Sequence, residues 1–197
     1  MILIGLTGLA QSGKDTVADY LVSRHGFEKK SFADPLKQVL RDMDPILGYD
    51  ITAPGFLITV TQALERFGET AVKNTYPRYR KYLQMLGTEG IRKIDPEFWI
   101  NAAAQTLEES GRYVFTDVRF PNEADFIGSN RGTLWQVERH LATKANTDQH
   151  SSETWAGRMH EDFLIYNNGS MDKLYNEIEY ALGRTEWQKL ALWKAFA

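Results

Sequence analysis

The 197-residue chain has no cysteine, which excludes a disulfide scaffold, a cysteine-ligated zinc site and a thiol nucleophile. It lacks an excess of either charge: 23 Lys+Arg stand against 26 Asp+Glu, a net charge of -3. That balance argues against an overall basic protein that coats a nucleic-acid polymer. No apolar run approaches the roughly 18 residues of a membrane span. The apolar opening, residues 1–9, is short, broken by glycine and without a basic leader, so neither a signal peptide nor a membrane anchor is expected, and the default location is cytoplasmic. Internal repeats, low-complexity tracts and long Pro/Gly/Ser linkers are missing too. What is present is 43% hydrophobic and 25% charged residues, close to the globular average, at a length suited to one domain, 1–197, with small insertions.

Short apolar runs alternate with helical segments, the pattern of an α/β fold with a parallel sheet. Residues 2–7 read as a buried first strand. A helix follows from about Gly13, with Val17, Tyr20 and Leu21 at helical spacing and Gly26 as its stop. Residues 27–33 suit a second strand, and Pro35 opens another helix. Residues 45–58, rich in proline and glycine, read as loop. Helices are expected over 59–73 and 80–94, and a third capped by Asp95-Pro96 and ending near Gly111. Residues 113–117, 133–138 and 163–167 read as strands. Ser170 caps a helix closed by Gly183, and a separate C-terminal helix carries Trp187, Leu190, Trp193 and Phe196. That apolar stripe is core packing or, at a chain end, the contact of a homodimer.

Gly8-Leu9-Ala10-Gln11-Ser12-Gly13-Lys14-Asp15-Thr16 is the strongest local signal. Glycines permit a tight loop whose amides converge on a phosphate chain, and the next helix aims its positive end at the same anions. Lys14 reaches the β- and γ-phosphates as a point charge. The strict motif places Ser or Thr directly after the lysine; here Asp15 intervenes and Thr16 follows. Either is a candidate on the Mg²⁺ side, Asp15 through water. The motif follows a buried strand and precedes a helix, the context its chemistry requires.

Asp117 ends an apolar strand and is a candidate second Mg²⁺ anchor, or an ordinary strand-end acid. Arg119 lies just past the carboxyl edge of the sheet, where ligands of open α/β folds bind, and suits a bidentate phosphate clamp. Glu123 reads as a first-turn acid favouring the helix dipole. Asp34 and Lys37 follow the second strand at the same edge, as substrate or metal contacts or as a helix-start acid with a surface lysine. Residues 66–93 hold seven basic and two acidic side chains, a local +5, fitting a solvated face or an anionic small substrate. Tyr76, Tyr79 and Tyr82 interleave those bases, as in a stacking platform for nucleic acid or as periodic core.

Residues 12–19 (SGKDTVAD), 83–89 (LQMLGTE) with Arg92 and Trp99, 117–123 (DVRFPNE) and 150–153 (HSSE), in that order, resemble the bacteriophage deoxynucleoside monophosphate kinases over nearly the whole chain. The resemblance implies a three-layer P-loop kinase fold with a central five-stranded parallel sheet, a helical nucleotide-monophosphate-binding insertion over about 35–95 and a lid over about 139–158. It implies transfer of the γ-phosphoryl of ATP to the 5′-phosphate of a deoxynucleoside monophosphate, with Mg²⁺. By the same resemblance Gly8 to Thr16, including Gln11, Ser12 and Gly13, bind ATP phosphates. Lys37, Gln84, Thr88, Glu89, Arg92 and Trp99 belong to the acceptor side, while Arg119 and Asn122 face the transferring phosphates or the acceptor. Arg139 clamps the γ-phosphoryl, and Asn167-Asn168-Gly169-Ser170 form the donor-adenine loop. Asp34 is at most an orienting group, since the acceptor phosphate needs no general base. His150 and Glu153 fall in the lid or nucleotide pocket, or pair at the surface. In such a kinase Phe32, Tyr82, Trp99 and Trp155 are candidates to stack on a base or close on a deoxyribose, and so many large aromatics favour a purine acceptor, dAMP in particular. Small-molecule kinases acting on dephospho-coenzyme A or phosphomevalonate, and a regulatory module that hydrolyses ATP slowly, are the competing readings.

Overall fold

The computed structural model describes residues 1–140 and 159–196, with side chains described as far as Trp187. In chain order the elements are β1 (Ile2–Thr7), α1 (Lys14–His25), β2 (Glu28–Lys30), α2 (Asp34–Met43), β3 (Ile46–Tyr49), β4 (Leu57–Thr59), α3 (Val60–Thr75), α4 (Pro77–Gln84), a π-helical segment (Met85–Ile91), α5 (Arg92–Ile94), α6 (Phe98–Ala104), β5 (Arg112–Phe115), α7 (Pro121–Ser129), β6 (Thr133–Glu138), β7 (Phe163–Tyr166) and α8 (Met171–Phe196). They form two compact units, one of residues 1–32 with 106–197, the other of Ala33–Gln105.

The first unit is built on a five-stranded sheet in the order β2-β5-β1-β6-β7, every pairing parallel. β1, β5 and β7 are largely apolar runs, as strands covered on both faces are, while the edge strand β2 is Glu-Lys-Lys. Ile4, Leu6, Val114, Trp135, Val137 and Ile165 pack with Val17 and Leu21 of α1 and with Leu174 and Ile178 of α8. On the opposite face, Gly5 lets Ile127 of α7, Val118 and Leu134 approach the strand closely. β1 lies at the centre with later strands on either side, so its carboxyl end is the topological switch point where open α/β sheets bind ligands. β2 is shorter than the run over 27–33 suggests: three residues pair with β5, and Phe32 turns inward to stack on Phe115, ring centroids 4.4 Å apart.

Helix α8 runs unbroken through Gly183 to Phe196, where the sequence suggests a stop and a second helix. An interior glycine costs only about 1 kcal/mol against alanine. Here the flanking residues anchor the helix: Ala181, Leu182 and Thr185 are buried, and the Thr185 hydroxyl meets that of Thr133 at 3.1 Å.

In the second unit, residues 45–58 are not a loop: β3 and β4 pair as an antiparallel hairpin. Leu47 and Ile58 supply its buried face. Asp50 closes the turn, accepting from the Thr52 amide (2.8 Å) and hydroxyl (2.7 Å), while the Asp50 N–H donates to Phe56 O (2.8 Å). Pro54 and Gly55 punctuate only that turn. Helix α6 starts at Phe98 and stops at Ala104, short of Gly111. Leu40, Val60, Leu64, Val72, Tyr76 and Tyr79 fill the core of this unit. No helix among the described residues is long and apolar enough to cross a membrane.

Candidate functional site

Beyond Thr7 the chain curls into a loop with positive φ at Gly8 (135°), Gln11 (64°) and Gly13 (105°). Lys14 Nζ spans this loop, donating to the carbonyls of Gly8 (2.9 Å) and Leu9 (2.8 Å). Among the described residues no side chain caps the N-terminus of α1, and such a helix end offers amides and a positive dipole to an anion. Among the described residues the buried hydroxyls of Thr7 and Ser12 have no hydrogen-bond partner, which leaves polar capacity inside the loop. Thr16 is half-buried in the first turn of α1. Asp15 is directed elsewhere: its exposed carboxylate pairs with Lys29 at 2.7 Å, and Lys29 also holds Asp19 at 3.1 Å. Burial alone would depress the Lys29 pKa, but the hydrogen bonds from these two acids raise it.

Asp117, half-buried beyond β5, accepts from Ser31 Oγ (2.6 Å) and from the Phe32 amide (2.9 Å). Its carboxylate thus ties the end of β5 to the end of β2. Arg119 follows with an exposed side chain. Its amide and that of Phe120 both donate to Glu123 Oε2, at 2.7 and 3.1 Å. Glu123 is buried and caps the start of α7; a first-turn acid is thereby also the backbone clasp that fixes Arg119. Asn122 lies half-buried in the same turn.

Arg139 is exposed immediately after β6. The next amide, His140 N–H, donates to Asn168 Oδ1 at 2.7 Å. Asn167 N–H donates to Glu138 O at 2.7 Å, and its side-chain Nδ2 to Ser12 O at 2.9 Å. Gly169 and Ser170 lead into α8, where Ser170 Oγ accepts from Lys173 N at 3.4 Å. Asn167 thus braces the phosphate loop. Sequence alone groups it with Asn168 and Gly169 in the adenine loop; only the register of β6 with β7 brings it to Ser12.

In the second unit Asp34 and Lys37 form an i,i+3 pair at 3.8 Å. Lys37 and Lys73 both bind Glu69, at 3.2 and 2.8 Å. Burial alone would raise the Glu69 pKa, but the hydrogen bond from Lys73 and the two positive charges hold it below the usual value. Burial and the neighbouring Glu69 charge push the Tyr79 phenol up to about 12. Tyr76 and Tyr79 are core residues, and Tyr82 donates to Ile46 O at 2.9 Å. These three tyrosines therefore stabilise this unit rather than form a stacking platform. The +5 run is partly neutralised within its own unit, Arg66 meeting the buried Asp50 at 2.5 Å and Lys73 meeting Glu69.

Gln84 and Glu89 are exposed and Thr88 and Arg92 half-buried, all on or next to the π-helical segment. Such i→i+5 turns are rare and cluster at functional sites. Trp99 is 3% exposed and donates to Gly87 O at 3.4 Å, so its ring props this segment from inside. Phe32 is equally buried. The aromatic argument for a purine acceptor thereby loses two of its rings. Trp155, His150 to Glu153 and the lid beyond His140 lie outside the described residues.

The family model for deoxynucleotide monophosphate kinase matches residues 55–178. A putative deoxynucleotide monophosphate kinase of Acanthamoeba polyphaga mimivirus is 33% identical over 199 residues, covering 90% of this chain and 94% of that protein. The deoxynucleotide monophosphate kinase of Escherichia phage RB69 is 24% identical, over 92% of this chain and all of its own. Among solved structures, shikimate kinase from Aquifex aeolicus matches with a TM-score of 0.47 at 14% identity, over 95% of this chain and 98% of that one.

Proposed function

The chain belongs to the deoxynucleotide monophosphate kinase family, and we propose that it transfers the γ-phosphoryl of ATP to the 5′-phosphate of a deoxynucleoside monophosphate, giving the diphosphate and ADP and supplying DNA precursors. The observation that carries this reading is the Lys14 loop at the carboxyl end of the central strand, with its uncapped helix and buried unpartnered hydroxyls.

In the reaction an oxygen of the acceptor phosphate bonds to Pγ as the bond from Pγ to the ADP oxygen breaks, and the electron pair leaves with ADP. The acceptor is already anionic, so the protein supplies position and positive charge rather than a base. Residues 8–16 hold the donor phosphates, with Lys14 moving from the Gly8 and Leu9 carbonyls to the β- and γ-oxygens. Arg119 and Arg139 supply charge to the equatorial oxygens, and Asn168 and Gly169 flank the adenine. Lys37, Gln84, Thr88, Glu89, Arg92 and Asn122 serve the acceptor, with Trp99 supporting them from the core.

Mg²⁺ keeps several waters and binds through one or two oxygen side chains plus substrate phosphates. The donor set here fits that habit: Thr16 offers a hydroxyl and Asp117 a carboxylate, while Asp15 is drawn to Lys29. Bound there, the ion would neutralise charge developing between the β- and γ-phosphates.

The test is ADP release with ATP and a panel of deoxynucleoside monophosphates, ribonucleoside monophosphates, dephospho-coenzyme A and phosphomevalonate. Release should require a deoxynucleoside monophosphate, with dAMP the first to compare. Acceptor-independent release, or release with only the non-nucleotide acceptors, would sink the reading.

A further inference from the structure

Of the two asparagines after β7, Asn167 does different work from the base contact that its place in the chain suggests. Asn167 is half-buried. Its backbone N–H continues the β6–β7 ladder onto Glu138 O, which fixes where its side chain starts. Its Nδ2 then donates to Ser12 O at 2.9 Å. The fit is close, since a Cβ on Gly13 would lie only 2.2 Å from that nitrogen. Gly13, at φ 105°, is the residue that lets loop and amide meet.

The orientation of one peptide follows from this contact. In a planar trans peptide the C=O and N–H point to opposite sides. Holding Ser12 O toward Asn167 therefore turns the Gly13 N–H away from it. Left alone, the Ser12–Gly13 peptide sits between a residue with a buried unpartnered hydroxyl and a residue free to rotate through left-handed conformations. Asn167 removes that freedom before any ligand arrives, and preorganised donors do not have to be ordered at the moment of binding.

We propose that Asn167 is a positioning residue for the donor phosphates: it sets the Ser12–Gly13 peptide so that the Gly13 amide serves the phosphate chain, independently of the base. The inference rests on the reading of residues 8–16 as the donor-phosphate loop, but it needs neither an acceptor nor turnover. Inorganic tripolyphosphate is the probe, because it has phosphates and no base, with ADP measured alongside by calorimetry on the full chain. Asn167→Ala should weaken tripolyphosphate and ADP by a similar factor of about ten, the worth of one well-made hydrogen bond. Asn167→Leu, which keeps bulk over Gly13 without the donor, should lose as much. Unchanged far-ultraviolet circular dichroism in either variant separates loss of positioning from loss of fold. Wild-type tripolyphosphate affinity in Asn167→Ala, with ADP alone weakened, would make the contact one to the base and overturn the proposal. Retained affinity in Asn167→Leu would assign the effect to packing and overturn it equally. If wild-type protein does not bind tripolyphosphate, the premise fails; if it binds and the variants behave as expected but no acceptor supports ADP release, only the assigned reaction fails.

Discussion

Lys14 shows how a single side chain can be held ready. Its ammonium rests on two carbonyls of its own loop, so its charge is presented at the loop instead of sampling solvent. Lys14→Ala should lower kcat by about 10²–10³-fold, as loss of one electrostatic stabiliser does, while circular dichroism stays native. Near-normal turnover would discredit the loop assignment. Neighbouring residues divide between those whose chemistry is visible in the sequence and those whose partner decides it. The order Gly8, Gly13, Lys14 announces a phosphate loop because glycine spacing and a following helix are local facts. Asp15 does not announce that Lys29 claims it, nor Asp117 that it bonds Ser31 and Phe32, since those partners arrive through sheet pairing between distant strands. Trp99 is the converse case: a large aromatic near basic residues suggests a ligand, yet its indole is spent on the Gly87 carbonyl.

Among the elements, α3 carries a break that its apolar spacing hides. Gly68 interrupts it at φ 73° and ψ 160°, and the next residue is Glu69, the acid shared by Lys37 and Lys73. An L-residue in the left-handed region costs roughly 1–2 kcal/mol. Gly68→Ala should therefore lower the thermal midpoint by roughly 2–8 °C for a chain of this size, read by circular dichroism; a raised midpoint, as in an ordinary helix, would show that the kink is not required. Legibility followed the same line. β1, α1 and β6 are plain in sequence because burial on both faces or a glycine stop marks them. The hairpin of β3 and β4 is obscured in sequence because Gly48 interrupts β3, Pro54 and Gly55 mark the turn, and only Leu47 and Ile58 face inward. The π-helical turn over 85–91 has no side-chain period that sets it apart from an α-helix, so only backbone geometry reveals it.

At the scale of the molecule, acid sensitivity gathers in the second unit. The Thr52 hydroxyl and amide, then Arg66, hold the Asp50 carboxyl below its usual value. The Thr61 amide does the same for Asp44 and the two lysines for Glu69. Carboxylates with lowered folded values add stability that is present above their ordinary values, 3.8 for Asp and 4.5 for Glu, and is lost as pH falls through the lowered ones. The thermal midpoint should therefore begin to fall once pH drops below about 5 and keep falling with further acidification. Asp50→Asn should melt earlier than wild type at pH 7, with the gap narrowing as pH falls below 3.8; a gap that stays constant on acidification would remove Asp50 from the explanation. The division of the chain also bears on how it reaches this state. β2 and β5 are sheet neighbours in one unit, yet the whole of Ala33–Gln105 lies between them in the chain. Their three-residue ladder must close a loop of about 80 residues, an entropic cost that grows with the logarithm of loop length. Collapse of the intervening unit ahead of that pairing would shorten the effective loop, so the edge strand of the sheet would close at a lower entropic cost once residues of the other unit have folded.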